Sequence, residues 1–216
     1  MTEIQYVLFD LDDTIYNNAS GLFEEVGGRI EGWLSRTLEV SSAQARKLRV
    51  EYYRAYGTTM RGLLIHHPEV DIDDYLDDVH QVMVAHHLEA NPALAAMLAR
   101  LPVEKVIFTN GIADWAERVL ACLGVREHFT KILDVRALDY TSKPFPEAYQ
   151  KALQFLGVPG DACVLVDDQA RNLQGGAKFG MRTVLVRPES QPGGGVEFAV
   201  SQVLETEPIL TELLAL

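Results

Sequence analysis

The run Val7-Leu8-Phe9-Asp10-Leu11-Asp12-Asp13-Thr14-Ile15-Tyr16 decides how the rest of the chain is read. An apolar stretch beginning at Tyr6 stops abruptly at three acids and a threonine, the pattern of a buried parallel strand that delivers carboxylates to its carboxyl end. Side chains alternate along an extended chain, so Asp10 and Asp12 share a face and Leu11 points into packing. Carboxylates this close repel, and a divalent cation between them makes the arrangement favourable. A turn leading into a helix, with Asp13 or Thr14 as its N-cap, reads the same residues without any chemistry.

Working outward, residues 21–91 carry a helical pattern and no convincing strand. Leu22, Val26, Ile30, Trp33 and Leu34 recur at helical spacing, and Ser41 or Ser42 can cap a second helix that ends at Gly57. A further helix is expected from Asp71 to His87. From Pro92 the pattern alternates helix and strand, which points to parallel βαβ units. Strands are expected at Val103–Phe108, Ile132–Val135, Cys163–Val166 and Thr183–Val186, the last of the sheet, and helices at Pro92–Arg100, Ala113–Leu123, Pro146–Leu156 and Ala170–Phe179. A closing helix is expected near Ile209–Leu214. The fold class is therefore α/β, with a sheet domain split by a helical block inserted after its first strand.

Three later strand ends carry polar groups. Thr109-Asn110-Gly111 offers a hydroxyl, an amide and an unhindered N–H at a helix N-terminus, or is simply a turn. Lys143, held extended by Pro144, either aims its ammonium inward or is a solvated loop charge. Asp167 and Asp168 follow a buried apolar run, where acids are costly unless solvated or metal-bound. Ligands of open α/β sheets bind at the carboxyl ends of the strands, and here all four groups lie at such ends.

The 216 residues are long for one domain and short for two, and 48% hydrophobic with 23% charged content suits a globular protein with a core. A net charge of −12 argues against a nucleic-acid polymer or an anionic membrane as partner. Cys122 and Cys163 have no metal-binding spacing and read as reduced core residues. With no membrane-length apolar run and no basic, apolar leader, the expected location is cytoplasmic. Residues 188–195, PESQPGGG, read as a loop.

The ordered set resembles the haloacid dehalogenase superfamily, whose four motifs correspond to Asp10-x-Asp12-x-Thr14, Thr109-Asn110, Lys143 and Asp167-Asp168. That resemblance implies a Rossmann-like three-layer core, residues 1–16 and 92–216, with a helical cap at residues 17–91. Dehalogenase members lack the second acid and phosphotransferase members have it, so Asp12 places the chain with phosphatases and mutases. By the same resemblance Asp10 is the nucleophile and Asp12 the general acid and base. The resemblance further implies Mg2+ held by Asp10, the Asp12 carbonyl and Asp168, with Asp167 as a ligand or supporting acid. Lys143, Thr109 and Asn110 bind the transferring phosphate.

The run Tyr52-Tyr53-Arg54-Ala55-Tyr56-Gly57-Thr58-Thr59-Met60-Arg61-Gly62-Leu63, with Asp73, Tyr75-Leu76 and Val79-His80, resembles the pyrimidine 5'-nucleotidase branch, as does the opening FDLDDTIY. The branch often has proline where Asn17 stands, and Asn18-Ala19 also differ. Its substrates are nucleoside 5'-monophosphates such as UMP and CMP. Tyr52, Tyr56, Arg61 and His66 can stack and hydrogen-bond a base; equally, Tyr52 and Tyr56 can be the cap's own packing stripe and Arg61 can pair with an acid. The partner expected is a small-molecule phosphate ester, the protein being a monomer or homodimer. A sugar-phosphate or phosphoglycolate phosphatase, a phosphomutase, and a noncatalytic binding protein of this fold are the alternatives.

Overall fold

The computed structural model describes residues 2–215. In chain order the elements are β1 (Tyr6–Phe9), α1 (Leu22–Thr37), α2 (Ser42–Tyr56), α3 (Thr59–His66), α4 (Ile72–Val79), α5 (Pro92–Arg100), β2 (Glu104–Phe108), α6 (Ala113–Leu123), β3 (Lys131–Leu133), α7 (Pro146–Leu156), β4 (Cys163–Asp167), α8 (Ala170–Ala177), β5 (Arg182–Val186), β6 (Phe198–Val200) and α9 (Thr206–Leu214), with short 3-10 turns between. They fall into two compact units, one running to Asn17 and resuming at Glu89, the other Asn18–Leu88.

In the first unit the strands form one parallel sheet in the order β3-β2-β1-β4-β5-β6. β1 is central, with Phe9 beside Ile107 of β2 and Val166 of β4. That register puts the carboxyl ends of β1, β2 and β4 side by side at the point where the strand order reverses, where such sheets bind ligands. Val7, Leu8, Phe9, Val164, Leu165 and Val166 are fully buried, as strands covered on both faces must be. Helices α6 and α7 end at Gly124 and Gly157 as the sequence predicts. Cys163 is buried, its thiol pushed up to about 12 by burial first and by Asp161 second, whereas Cys122 is only half-buried and not a core residue.

The second unit is helical. Ser41 and Gln44 form a reciprocal capping box at the start of α2, and Asp71 Oδ1 accepts from the N–H groups of Asp73 and Asp74 at the start of α4. Trp33 and Tyr75 meet edge to face at 5.0 Å in its core. At Gly62 a Cβ would lie 2.2 Å from Tyr52 Cγ, so only glycine lets α3 seat against that ring.

His87 closes this unit on itself. Its Nδ1 lies 2.9 Å from the Ser20 carbonyl and its Nε2 2.8 Å from Glu25 Oε2. With acceptors on both nitrogens the ring is satisfied only as the imidazolium. The Ser20 carbonyl and then Glu25 raise His87 above its ordinary 6.5, and the His87 hydrogen bond lowers Glu25 below 4.5. The His87 contribution to stability is therefore complete below 6.5 and lost as pH rises through the raised value, while the Glu25 share is lost as pH falls through the lowered one. Melting temperatures of wild type and His87→Gln should diverge at about pH 6 and converge toward about pH 8. An equal gap at both pH values would show that the imidazolium is not formed there.

Three expectations are corrected. The helix expected to run from Asp71 to His87 stops at Val79: the His80 ring engages the Leu76 carbonyl at 2.7 Å, and the Val82 N–H turns back to the His80 carbonyl. A 3-10 turn, Val84–His86, follows. β5 is not the last strand, because β6 pairs with it in parallel at Val184↔Phe198 and Val186↔Val200. At three half-buried residues β6 carries no alternation to read, and it is fixed from afar: Thr183 Oγ1 accepts from the Glu197 N–H at 2.9 Å and donates to the Gly195 carbonyl at 3.0 Å. Neither Asp13 nor Thr14 caps a helix, since α1 begins only at Leu22. Among the described residues no helix is long and apolar enough to cross a membrane.

Candidate active site

The carboxyl end of β1 hands the chain directly to Asp10, whose N–H is held by the Val166 carbonyl at 2.8 Å. Asp10 and Asp167 converge on one cation. Lys143 Nζ donates to Asp10 Oδ1 at 2.8 Å and to Asp167 Oδ2 at 2.7 Å, and its side chain is wholly buried. Of the two readings the sequence left open, the inward one describes this lysine. Burial alone would lower Lys143, and the two carboxylates outweigh it, so the ammonium stays charged. Burial pushes Asp10 well up, Lys143 opposes, and Asp167, Asp168 and Asp12 push it further.

The lysine is aimed by a residue 33 positions away in sequence. The Asn110 side chain donates to the Lys143 carbonyl at 3.0 Å and accepts from the Lys143 N–H at 2.8 Å, a reciprocal clamp on the Lys143 backbone. Thr109, almost fully buried, accepts from the Gly111 N–H at 2.9 Å, which leaves its hydroxyl proton for donation. Thr14 donates to Asp10 Oδ2 at 3.3 Å.

At β4, both oxygens of Asp167 are taken by protein donors. Besides Lys143, the Gln169 N–H reaches Oδ1 at 2.8 Å and Asn172 Nδ2 bridges the two oxygens at 3.0 and 3.1 Å. Tyr149 in turn donates to the Asn172 carbonyl at 2.7 Å. Asp168 accepts from the neighbouring Gln169 amide, and burial, then Asp167, pushes it up to about 7. Asp12 is placed differently: its Oδ1 accepts from the Tyr16 hydroxyl and, at 3.0 Å, from Trp115 Nε1. Sequence reasoning assigned no role to Tyr16 or Trp115. A buried tryptophan whose N–H needs a partner was the available signal.

Tyr52, Tyr56 and His66 lie in the helical unit and engage one another. Tyr52 stacks on His66 with centroids 5.4 Å apart, the Tyr56 hydroxyl meets His66 Nε2 at 2.7 Å, and the Tyr52 hydroxyl meets His67 Nε2 at 3.1 Å. Arg61 sits in the first turn of α3, where its N–H donates to the Thr58 cap at 3.0 Å.

A model of the family described as "Hydrolase: haloacid dehalogenase-like hydrolase" matches residues 4–180. The chain belongs to the haloacid dehalogenase-like hydrolases. It is 23% identical over 193 residues to phosphate metabolism protein 8 of Saccharomyces cerevisiae, covering 82% of this chain and 60% of that protein. It is 31% identical over 108 residues to a phosphatase of Mycobacterium tuberculosis, covering 50% of this chain and 49% of that one. The chain thus spans about half to three-fifths of the length of these curated relatives. Its fold is similar to that of CbbY from Rhodobacter sphaeroides in complex with phosphate, with a TM-score of 0.67, 21% identity, and coverage of 94% of this chain and 96% of that one. Solved dehalogenases share the fold as well.

Family membership raises the question of Mg2+, and the residues fit it. Asp10, Asp167 and Asp168 each offer a carboxylate oxygen, all within 4.8 Å of one another. Asp13 adds a buried Oδ1 with no hydrogen-bond partner, in a backbone turned to φ 61, and burial followed by Asp12 pushes this carboxyl up to about 6. Asp10, Asp167 and Asp168 share one lysine, and Asp12 and Asp13 add like charge against Asp10 and Asp168, a repulsion that a hard cation with oxygen ligands relieves. Asp167 accepts from Lys143, Gln169 and Asn172, whereas Asp168 accepts from the Gln169 amide, so Asp168 keeps more capacity for a cation than Asp167 does.

Proposed function

We propose that this haloacid dehalogenase-like hydrolase is a Mg2+-dependent phosphomonoesterase acting through an aspartyl-phosphate on Asp10, with a pyrimidine nucleoside 5'-monophosphate such as UMP or CMP as substrate. What carries the chemical reading is the pairing of Asp10 with a buried Lys143 and of Asp12 with two neutral donors. One carboxylate is held against a fixed cation, and the second, two residues on, is tied elsewhere. The two acids are thus given different environments, as nucleophile and proton carrier require.

Asp10 attacks phosphorus while Asp12 gives its proton to the leaving alcohol oxygen. Asp12 then takes a proton from water, which attacks the acyl phosphate and releases phosphate, restoring both acids. Lys143 holds Asp10 in line and offsets the charge of the arriving phosphate, and Thr109 and the Asn110 N–H orient the transferring oxygens. Asp10, Asp168 and the Asp12 carbonyl would hold Mg2+, which when bound would supply further positive charge to offset repulsion between a carboxylate and a phosphate dianion.

The nucleotide assignment is supported by the sequence of the helical unit from Tyr52 to Leu63. The mutual engagement of Tyr52, Tyr56 and His66 favours a second reading, in which these rings are internal packing and the substrate is a sugar phosphate or phosphoglycolate. Phosphate release from UMP, CMP, dTMP, AMP, GMP, phosphoglycolate and sugar phosphates, with Mg2+ and with EDTA, separates them. The first reading expects a preference for UMP and CMP that EDTA abolishes. A Mg2+-dependent preference for another ester would remove the nucleotide assignment alone, and release undiminished by EDTA would remove the metal.

A further inference from the structure

We propose that Tyr16 and Trp115 are positioning residues that fix the rotation of the Asp12 carboxyl and thereby decide which of its oxygens carries the transferred proton. The inference rests on the reading of Asp12 as general acid and base.

The geometry is asymmetric. Both donors address the same oxygen: the Tyr16 hydroxyl, four residues along the same loop, and Trp115 Nε1, from α6 and 103 positions away, converge on Oδ1, the indole at 3.0 Å. Both side chains are buried, with Trp115 1% and Tyr16 7% exposed. The Arg118 guanidinium lies 5.4 Å from the Trp115 ring centroid and helps keep the indole in place. Indole N–H can only donate, and the Tyr16 hydroxyl gives its proton to the same carboxylate oxygen, so both groups act here as donors.

An oxygen receiving two donors is a poor place for a proton. In its acid form Asp12 therefore carries the proton on Oδ2, and the rotor cannot turn to present Oδ1 without breaking both hydrogen bonds. The proton leaves Oδ2 for the ester oxygen as the bond from that oxygen to phosphorus breaks. It is replaced on Oδ2 from the water that attacks the acyl phosphate, so each turnover returns Asp12 to its starting state. A scaffold role alone would require no such convergence on one oxygen of the residue that moves the proton.

The test compares kcat/KM, which reports the first phosphoryl transfer, on two esters: p-nitrophenyl phosphate, whose phenolate departs without a proton, and UMP, whose alkoxide does not. Ribose 5-phosphate takes the place of UMP should the substrate panel favour sugar phosphates. Asp12→Asn should lose roughly 10²- to 10⁴-fold on the alkyl ester and far less on the aryl one. Tyr16→Phe and Trp115→Phe should each lose roughly ten- to hundred-fold on the alkyl ester, again sparing the aryl ester. Equal losses on both esters, or none, in the Tyr16 and Trp115 variants while Asp12→Asn discriminates would overturn the positioning role and leave the reading of Asp12 intact. No discrimination by Asp12→Asn would overturn that reading and the inference together. Tyr16→Phe removes a single oxygen, so it carries the test even if Trp115→Phe does not fold.

Discussion

Asp10→Asn is expected to abolish turnover, by about 10⁴-fold or more, while leaving the protein folded and no less stable than wild type. The loss follows from replacing a carboxylate nucleophile by an amide that cannot form the acyl phosphate. Stability follows from the surroundings. Burial, opposed by Lys143 and reinforced by Asp167, Asp168 and Asp12, raises Asp10 well above the ordinary carboxylate range, so ionising it costs folding free energy in the metal-free protein. Asparagine keeps an oxygen for Lys143 Nζ and removes that charge, so the metal-free variant should melt at or above the wild-type temperature. Such a trade of stability against function is common where like charges are crowded for chemistry. Steady-state phosphate release and thermal denaturation in EDTA check both parts. Retained activity would exclude Asp10 as the nucleophile, and a large fall in melting temperature would contradict the electrostatic account.

Lys143→Met should do the opposite to stability. The side chain is nearly isosteric, yet the change strands two carboxylates that now share a buried ammonium at 2.8 and 2.7 Å. Breaking a buried ion pair by removing one partner costs about 3–5 kcal/mol, and turnover should fall by roughly 10²- to 10³-fold. Lys143→Arg should not rescue it, because a planar guanidinium cannot occupy a fully buried ammonium site contacting two acids. The double variant with Asp10→Asn should be less destabilised than the sum of the single changes, since Asp167 retains Gln169 and Asn172 as donors. Urea denaturation of the four proteins measures this coupling. Strict additivity would mean that Lys143 does not stabilise Asp10 through charge.

The strands that carry the chemistry were legible because a parallel strand buried on both faces is a short apolar run, and an acid or amide at its end is conspicuous. Parallel pairing was equally legible from the alternation of helix and strand after Pro92, and the six-stranded parallel sheet follows it. Side-chain partnerships across long stretches of chain were not. Asn110 reads locally as the end of a strand, and nothing near it announces that its amide clamps the Lys143 backbone. Trp115 reads as an apolar position on α6, and its bond to Asp12 exists only because β1 and β2 are neighbours in the sheet. His80 fits the apolar-periodic stretch from Asp71, but its ring competes for a backbone carbonyl and ends α4. β6 depends on Thr183 and is invisible in its own three residues. Local pattern specified where polar groups emerge from the sheet; tertiary contacts specified what each holds.

The central claim is that Asp10 takes up the phosphoryl group, and trapping it is the most direct measurement. Protein mixed with Mg2+ and the preferred ester, quenched within a turnover and reduced with borohydride, should yield homoserine at position 10 when its peptides are read by mass spectrometry. Asp12→Asn should accumulate more of this product with an aryl ester, because removal of the base slows the second step. Turnover with an unmodified Asp10 in both proteins would contradict the account.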